Sequence, residues 1–322
     1  MKALLSVKKG VALAMVLSSM MMSSAHALTV YTAGPGSLAK SLATGFEQKT
    51  GVKVNIFQAT TGKVMARLEA EQANPQADIL ISASWDTAED LHHRGWLLPF
   101  ASANAEKVPP ALKSADYVAQ GVSALGIVWN TKSGTPEPKE WQDLTSAAFK
   151  DKVTTPDPAL SGASLDLLIG LQNGMGEKAW QLFDELKSNG MVVSGPNAQA
   201  VTPVMQGAKA AVFGAVDYVT YGNIAQGESL KVIFPASGTV IAPRPMMILK
   251  TTQHADDAKA FIDYVLSPEG QTMVADAWLM PARTDVEAKR PLFTELNILP
   301  TQSSGTSERG DILKRFNALF VK

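Results

Sequence analysis

The chain of 322 residues contains no cysteine. Disulfides, thiolate metal sites and cysteine nucleophiles are therefore excluded, and stability has to come from a packed core. Histidine is almost as scarce. Of the four, His26 lies in the N-terminal stretch, and His92 and His93 are neighbours on a predicted helix and face different directions, so no histidine-based zinc site is expected. Nor is there an excess of charge to attract nucleic acid: three of the 29 basic residues lie in the first 27 positions, and the remaining 26 against 30 acidic residues leave a net −4. After those first positions no run is long and apolar enough to cross a bilayer. The marks of a hydrolase are missing too, since neither a Gly-x-Ser-x-Gly elbow nor a clustered His/Asp/Glu set occurs.

What is present starts at the N-terminus. Lys2, Lys8 and Lys9 precede an apolar stretch, Val11 to Met22, and then Ala25-His26-Ala27. A positive segment, an apolar core too short to span a membrane and small residues at the cleavage point read as a secretory signal peptide cleaved after Ala27. A membrane anchor is the alternative reading of the same stretch. The roughly 295 residues that follow exceed what one core usually holds, so two lobes are expected.

The pattern along the chain is β-α alternation. A strand Leu28 to Thr32 meets a Gly/Pro turn and a helix from Ser37 to about Lys49, whose Leu38, Leu42 and Phe46 share one face. Val52 to Phe57 alternate as a strand, Val64, Met65 and Leu68 pattern a helix, and Ala77 to Ser82 is apolar enough for a strand buried on both faces. Such alternation predicts a mainly parallel sheet covered by helices. Val122 to Asn130 reads as a crossover, after which the pattern restarts with Val153 to Thr155 and a helix from Gly162 to Leu171. Strands at Val232 to Phe234 and Met246 to Leu249 bring the chain back, Ser267-Pro268 opens a capped helix, Ser303 to Ser307 reads as a flexible loop, and Asp311 to Leu319 as a last helix. The division expected is 1–27 signal peptide, 28–124 with 235–322 as the first lobe, and 125–234 as the second.

Several strings, in this order, resemble the periplasmic solute-binding proteins of ABC importers, in the group that contains ferric-ion-binding proteins and binders of phosphorylated or phosphonate compounds. They are Leu28 to Thr32 with its turn, GFEQKTGVKV from Gly45, NPQADIL from Asn74, SGAS from Ser161 and SPEGQ from Ser267. The resemblance implies two α/β lobes joined by crossover hinge strands, a ligand held in the interlobe cleft, a periplasmic location and no enzymatic activity. It also implies no cofactor, a monomer, and as partners a small anionic solute and an inner-membrane permease with its ATPase.

Candidate ligand residues follow from small and hydroxyl residues placed ahead of helices. With Ser161 as N-cap, the unpaired N–H groups of Gly162, Ala163 and Ser164 would leave a helix start beside two hydroxyls, which suits an anion such as phosphate. An ordinary capped helix is the other reading; the resemblance favours the cradle. Ser37, the Thr60-Thr61-Gly62-Lys63 string and Ser82-Ala83-Ser84 follow strand ends, the ligand edge of a parallel sheet, or are simply turns and caps. Thr61, Gly62, Ser82 and Ser84 are taken as candidates from these, with Lys63 as a point charge and Trp85 as a stacking face or core residue. Asn197 is a cap or, as the resemblance favours, a ligand donor. Asp217 is a candidate acceptor for sugar hydroxyls beside Tyr218, while Arg244 and Arg283 could pair with a ligand anion or form structural salt bridges.

The leading reading is capture of a hexose phosphate or phosphonate by cleft closure. Ferric-ion binding is the alternative, with Tyr218 and Tyr221 as ligands. Ferric relatives typically use adjacent tyrosines, often with a His and a Glu. Here Val219-Thr220 separates the tyrosines, the first turn (Ala33 to Gly36) lacks His and the third strand end lacks Glu.

Overall fold

The computed structural model of the chain describes residues 27–293, 296–301 and 306–320. The expected signal peptide, apart from Ala27, and residues 303–305 of the expected loop lie outside them. β1 (Ala27–Thr32) leads to α1 (Gly36–Thr50), β2 (Lys53–Gln58) to α2 (Thr61–Ala70), and β3 (Ile79–Ile81) to α3 (Trp85–His93). β4 (Leu97–Leu98) precedes the long β5 (Tyr117–Asn130). Then come β6 (Val153–Thr155), α4 (Gly162–Met175), α5 (Glu177–Ser188), β7 (Val192–Val193), α6 (Asn197–Met205), β8 (Ala211–Val216), α7 (Asp217–Ala225) and β9 (Leu230–Ile233). β10 (Ile241–Leu249) runs back, followed by α8 (Ala255–Val265), α9 (Pro268–Asp276), β11 (Met280–Pro281) and α10 (Thr306–Phe320).

Strand order is β2-β1-β3-β10-β5-β8-β6-β7. β1, β2 and β3 are mutually parallel, as are β6, β7 and β8, while β5 and β10 run antiparallel to their neighbours and join the two halves. The first part of β5 pairs with β10 and the last part with β8, so one strand belongs to both lobes. The expected crossover is therefore present and starts five residues earlier than its apolar run.

Local signals account for the elements. α1 buries Leu38, Leu42 and Phe46 and stops at Gly51, whose φ of 78° places it in the left-handed region that favours glycine. α9 starts as its Ser-Pro string requires, with Ser267 accepting from the Gly270 N–H and Pro268 in the first turn. Two main cores result. One gathers Leu28, Val30, Phe46, Ile79 and Phe261; the other gathers Trp141, Phe149, Leu167, Phe183 and Phe213.

The allocation of all of 235–322 to the first lobe needs correcting at its end. Ile312 and Phe316, one helical turn apart on α10, are buried in the second core, with Phe316 edge-on to Phe183 at 6.0 Å. α10 starts at Thr306, five residues before the expected Asp311, and packs against α4 and α5. Its apolar stripe shows that the helix docks, and nothing in it specifies on which lobe.

Candidate functional site

The C-terminal ends of β1, β2 and β3 face those of β6, β7 and β8 across a cavity of about 500 Å³, a size suited to a small solute. Parallel strands deliver helix starts to this edge. Thr60 caps α2 by accepting from the Lys63 N–H, and Ser161 caps α4 by accepting from the Ser164 N–H at 3.2 Å. Thr61, Ala163, Asn197 and Ala198, in the first turns of α2, α4 and α6, line the wall. First-turn N–H groups have no partner within their own helix, so these starts present donors and the positive ends of helix dipoles.

The floor is Arg244, only 2 % exposed. It sits between Pro243 and Pro245 in β10, at the point where the register with β5 shifts. Neither proline can donate to the ladder, so pairing breaks there and the side chain is free to leave the sheet plane. Its Nη1 donates to the Ala33 carbonyl at 3.2 Å in the first lobe, and its Nη2 donates to the Tyr218 hydroxyl at 3.2 Å in the second. Among the described residues no carboxylate pairs with Arg244, and its Nε, like Thr61 Oγ1, is buried without a hydrogen-bond partner. A buried cation with no acid beside it is costly and is balanced when an anion occupies the cavity. Arg283, the other arginine considered, forms its salt bridge with Asp285 at 2.7 Å and donates to the Asn104 and Leu266 carbonyls.

Of the expected ligand residues, Thr61, Ser161, Ala163, Asn197 and Tyr218 line the cavity, together with Lys63. The others sit elsewhere. Ser37 is exposed on α1, away from the cavity lining. In the extended segment after β3, alternation turns Ser82 and Ser84 inward and presents Ala83 to the cavity; Ser82 donates to Thr87 Oγ1 at 2.9 Å and Ser84 to Asp166 Oδ1 at 2.8 Å. Gly62 and Gly162 serve the contact between lobes: a Cβ on Gly62 would lie 2.6 Å from the Ala159 carbonyl oxygen, and one on Gly162 would lie 2.9 Å from Ser84 Cβ. Asp217, expected as an acceptor in the cleft, is fully buried, accepts from the Ala124 N–H at 2.9 Å and is ion-paired with Arg290 at 2.6 Å. Burial pushes its carboxyl above the usual range, with Arg290 pulling it back. Trp85, half-buried, packs edge-on against Tyr117 at 5.0 Å and against the first core, outside the cavity lining.

The two lobes are also tied beside the cavity. Arg309 of α10 pairs with Asp86 of α3 and, at 3.1 Å, with Asp166 of α4, whose carboxylate also accepts from Ser84. Complete burial pushes the Asp166 carboxyl up to about 6, with Arg309 opposing and Asp86 adding to the rise. An acid whose folded-state pKa exceeds its unfolded value of about 3.9 adds stability below that value and loses it as pH rises through the folded one. The melting temperature of the native chain, relative to Asp166→Asn, should therefore fall as pH is raised from about 4 to about 7. Thermal melts across that range would show it, and a difference independent of pH would exclude a titrating Asp166.

Two α/β lobes sharing their crossing strands and closed on a small, cation-floored cavity define a bilobal binding protein. Residues 74–296 match the family of bacterial extracellular solute-binding proteins, and the chain belongs to that family. The putative 2-aminoethylphosphonate-binding periplasmic protein of Salmonella typhimurium is 27% identical over 256 residues, 75% of this chain and 73% of its own length. The periplasmic binding protein AfuA from Actinobacillus pleuropneumoniae, solved with fructose-6-phosphate, superposes with a TM-score of 0.84 at 24% identity, covering 91% of this chain and 98% of its own. Iron-bound HitA from Pseudomonas aeruginosa gives 0.79 at 22% identity, covering 91% and 99%. The two solved structures show a shared fold, the two-lobe architecture expected from the sequence.

Proposed function

We propose that this protein is the periplasmic, non-catalytic capture component of an ABC importer and that its cargo is a small phosphorylated or phosphonate solute. The observation that carries the reading is Arg244, a buried guanidinium on the cavity floor with no carboxylate partner among the described residues. A dianionic phosphoryl group would supply the missing charge and accept from Arg244, from the first-turn N–H groups of α2 and α4 and from the hydroxyls of Thr61, Ser161 and Tyr218. Arg244 touches both lobes, so a ligand held there favours the closed pair, the shape a permease with its ATPase would read. The name of the Salmonella relative points to the same chemistry.

Ferric binding fits the cavity less well. Tyr218 reaches it, but Tyr221 lies under the Arg290 guanidinium at 5.0 Å and against Trp278, with its hydroxyl pKa raised by burial. No carboxylate or histidine lines the cavity among the described residues, and ferric iron wants anionic oxygen ligands.

A thermal-shift screen of refolded, ligand-free protein against sugar phosphates, phosphonates, inorganic phosphate and ferric citrate tests the proposal, because a ligand of the native state raises the melting temperature by mass action. Stabilisation by a phosphoryl compound, with micromolar or tighter calorimetric affinity, is expected. A shift with ferric iron alone, accompanied by a tyrosinate-to-iron colour, would overturn it.

A further inference from the structure

We propose that the cavity selects phosphoryl solutes whose remainder carries no ammonium group. The proposal rests on the phosphoryl reading above and deepens it. Lys63 and Arg244 are the only charged residues lining the cavity among those described, and neither forms an ion pair with another described residue. The helix starts of α2, α4 and α6 add positive dipole ends to the same space. The carboxylates nearest in the chain stay off the cavity lining. Asp157, three residues before Leu160, turns back to accept from the Ala159 N–H at 2.8 Å. Asp217 stands between Val216 and Tyr218, both of which line the wall, yet its side chain is held by Arg290 and the Ala124 N–H; Asp166 and Asp86 are held by Arg309.

Two of the neutral hydroxyls, those of Tyr218 and Ser161, add donors to the same space. Tyr218 oxygen accepts from Arg244 Nη2, which leaves its hydroxyl proton free to be offered to a ligand. Ser161 Oγ accepts from the Ser164 N–H and, at 2.7 Å, from Asn197 Nδ2, so it too is left to donate. One of the two lone pairs on Asn197 Oδ1 already takes the Val216 N–H at 3.0 Å. An ammonium group has donors only. Bound beside its own phosphoryl group it would meet two cations and no carboxylate, with only neutral acceptors such as Thr61 Oγ1 and the Gln58 amide oxygen, whereas a hydroxyl or carboxylate at the same place would find donors. Selection of this kind works by leaving the wrong charge without a counterion.

The test uses two matched pairs measured by calorimetry near neutral pH: n-propylphosphonate against 2-aminoethylphosphonate, which exchanges methyl for ammonium, and glucose 6-phosphate against glucosamine 6-phosphate, which exchanges hydroxyl for ammonium. In whichever pair binds, the ammonium compound should be weaker by about tenfold or more, a difference of roughly 1.4 kcal/mol. Lys63→Glu, at an exposed position in the first turn of α2, should narrow that gap without lowering the ligand-free melting temperature, since a carboxylate suits the helix start. Equal or tighter binding of the ammonium member by the native chain would overturn the proposal and leave the phosphoryl reading standing. If no member of either pair binds, nor inorganic phosphate, the phosphoryl reading itself falls and takes the selectivity with it.

Discussion

Replacing Arg244 with Met should weaken phosphoryl binding by roughly two to three orders of magnitude, because truncating one partner of a buried charge pair costs about 2–5 kcal/mol. The same substitution should not lower the melting temperature of the ligand-free protein. Arg244 is 2 % exposed and has no carboxylate to lose among the described residues, and its removal relieves the cost of a buried, unpaired cation while Met fills much of the space. Loss of affinity without loss of stability separates a ligand contact from a structural arginine. Arg244→Lys should fall between, since a lysine keeps the charge but cannot reach the Ala33 carbonyl and Tyr218 hydroxyl together as the planar fork does. Calorimetry and thermal melts on the two variants give the answer, and a Met variant with native affinity would take the cavity floor out of ligand recognition.

Much of the fold was legible because it rests on short-range signals. The spacing of Leu38, Leu42 and Phe46, the Gly51 stop and the Ser267-Pro268 start all describe events within a few residues of themselves, and each element formed where it was expected. The site was legible only in part, because a ligand residue is defined by which way it points and by what else has claimed it. Ser82, Ala83 and Ser84 are three consecutive positions, and the pleat gives the cavity the one without a hydroxyl. Arg244 stood out as a charge between two prolines, but only its surroundings show that no carboxylate meets it. Gly162 enters the sequence reading as an N–H donor to an anion, and its missing side chain makes room for the other lobe. The nearest thing to a missed signal was Pro-Arg-Pro inside a strand: two residues that break a ladder, flanking a cation, mark a place where the sheet gives up a pairing to aim a side chain.

Asp217 carries the second large effect, and it separates contact from architecture in the opposite direction. Asp217→Asn should lower the melting temperature by roughly 10 °C or more, because breaking a fully buried pair strands the Arg290 charge at a cost of about 3–5 kcal/mol. Both side chains are completely shielded from solvent, and the other partners of Arg290, the Pro291 carbonyl at 3.3 Å and the rings of Tyr221 and Phe293 at 5.0 and 4.6 Å, cannot replace a carboxylate. The double variant Asp217→Asn, Arg290→Met should recover much of the loss, since an apolar partner removes the stranded charge that makes the single change severe. Ligand affinity, measured well below the melting transition, should change only a few-fold in the double variant, because the carboxylate faces β5 and Arg290 and not the cavity. A native-like melt with lost affinity in Asp217→Asn would restore the residue to the ligand. The expected pattern makes it a strut between α7 and the crossing strand, and it commits to the hinge an acid that stands between two wall residues, which helps leave the cavity positive.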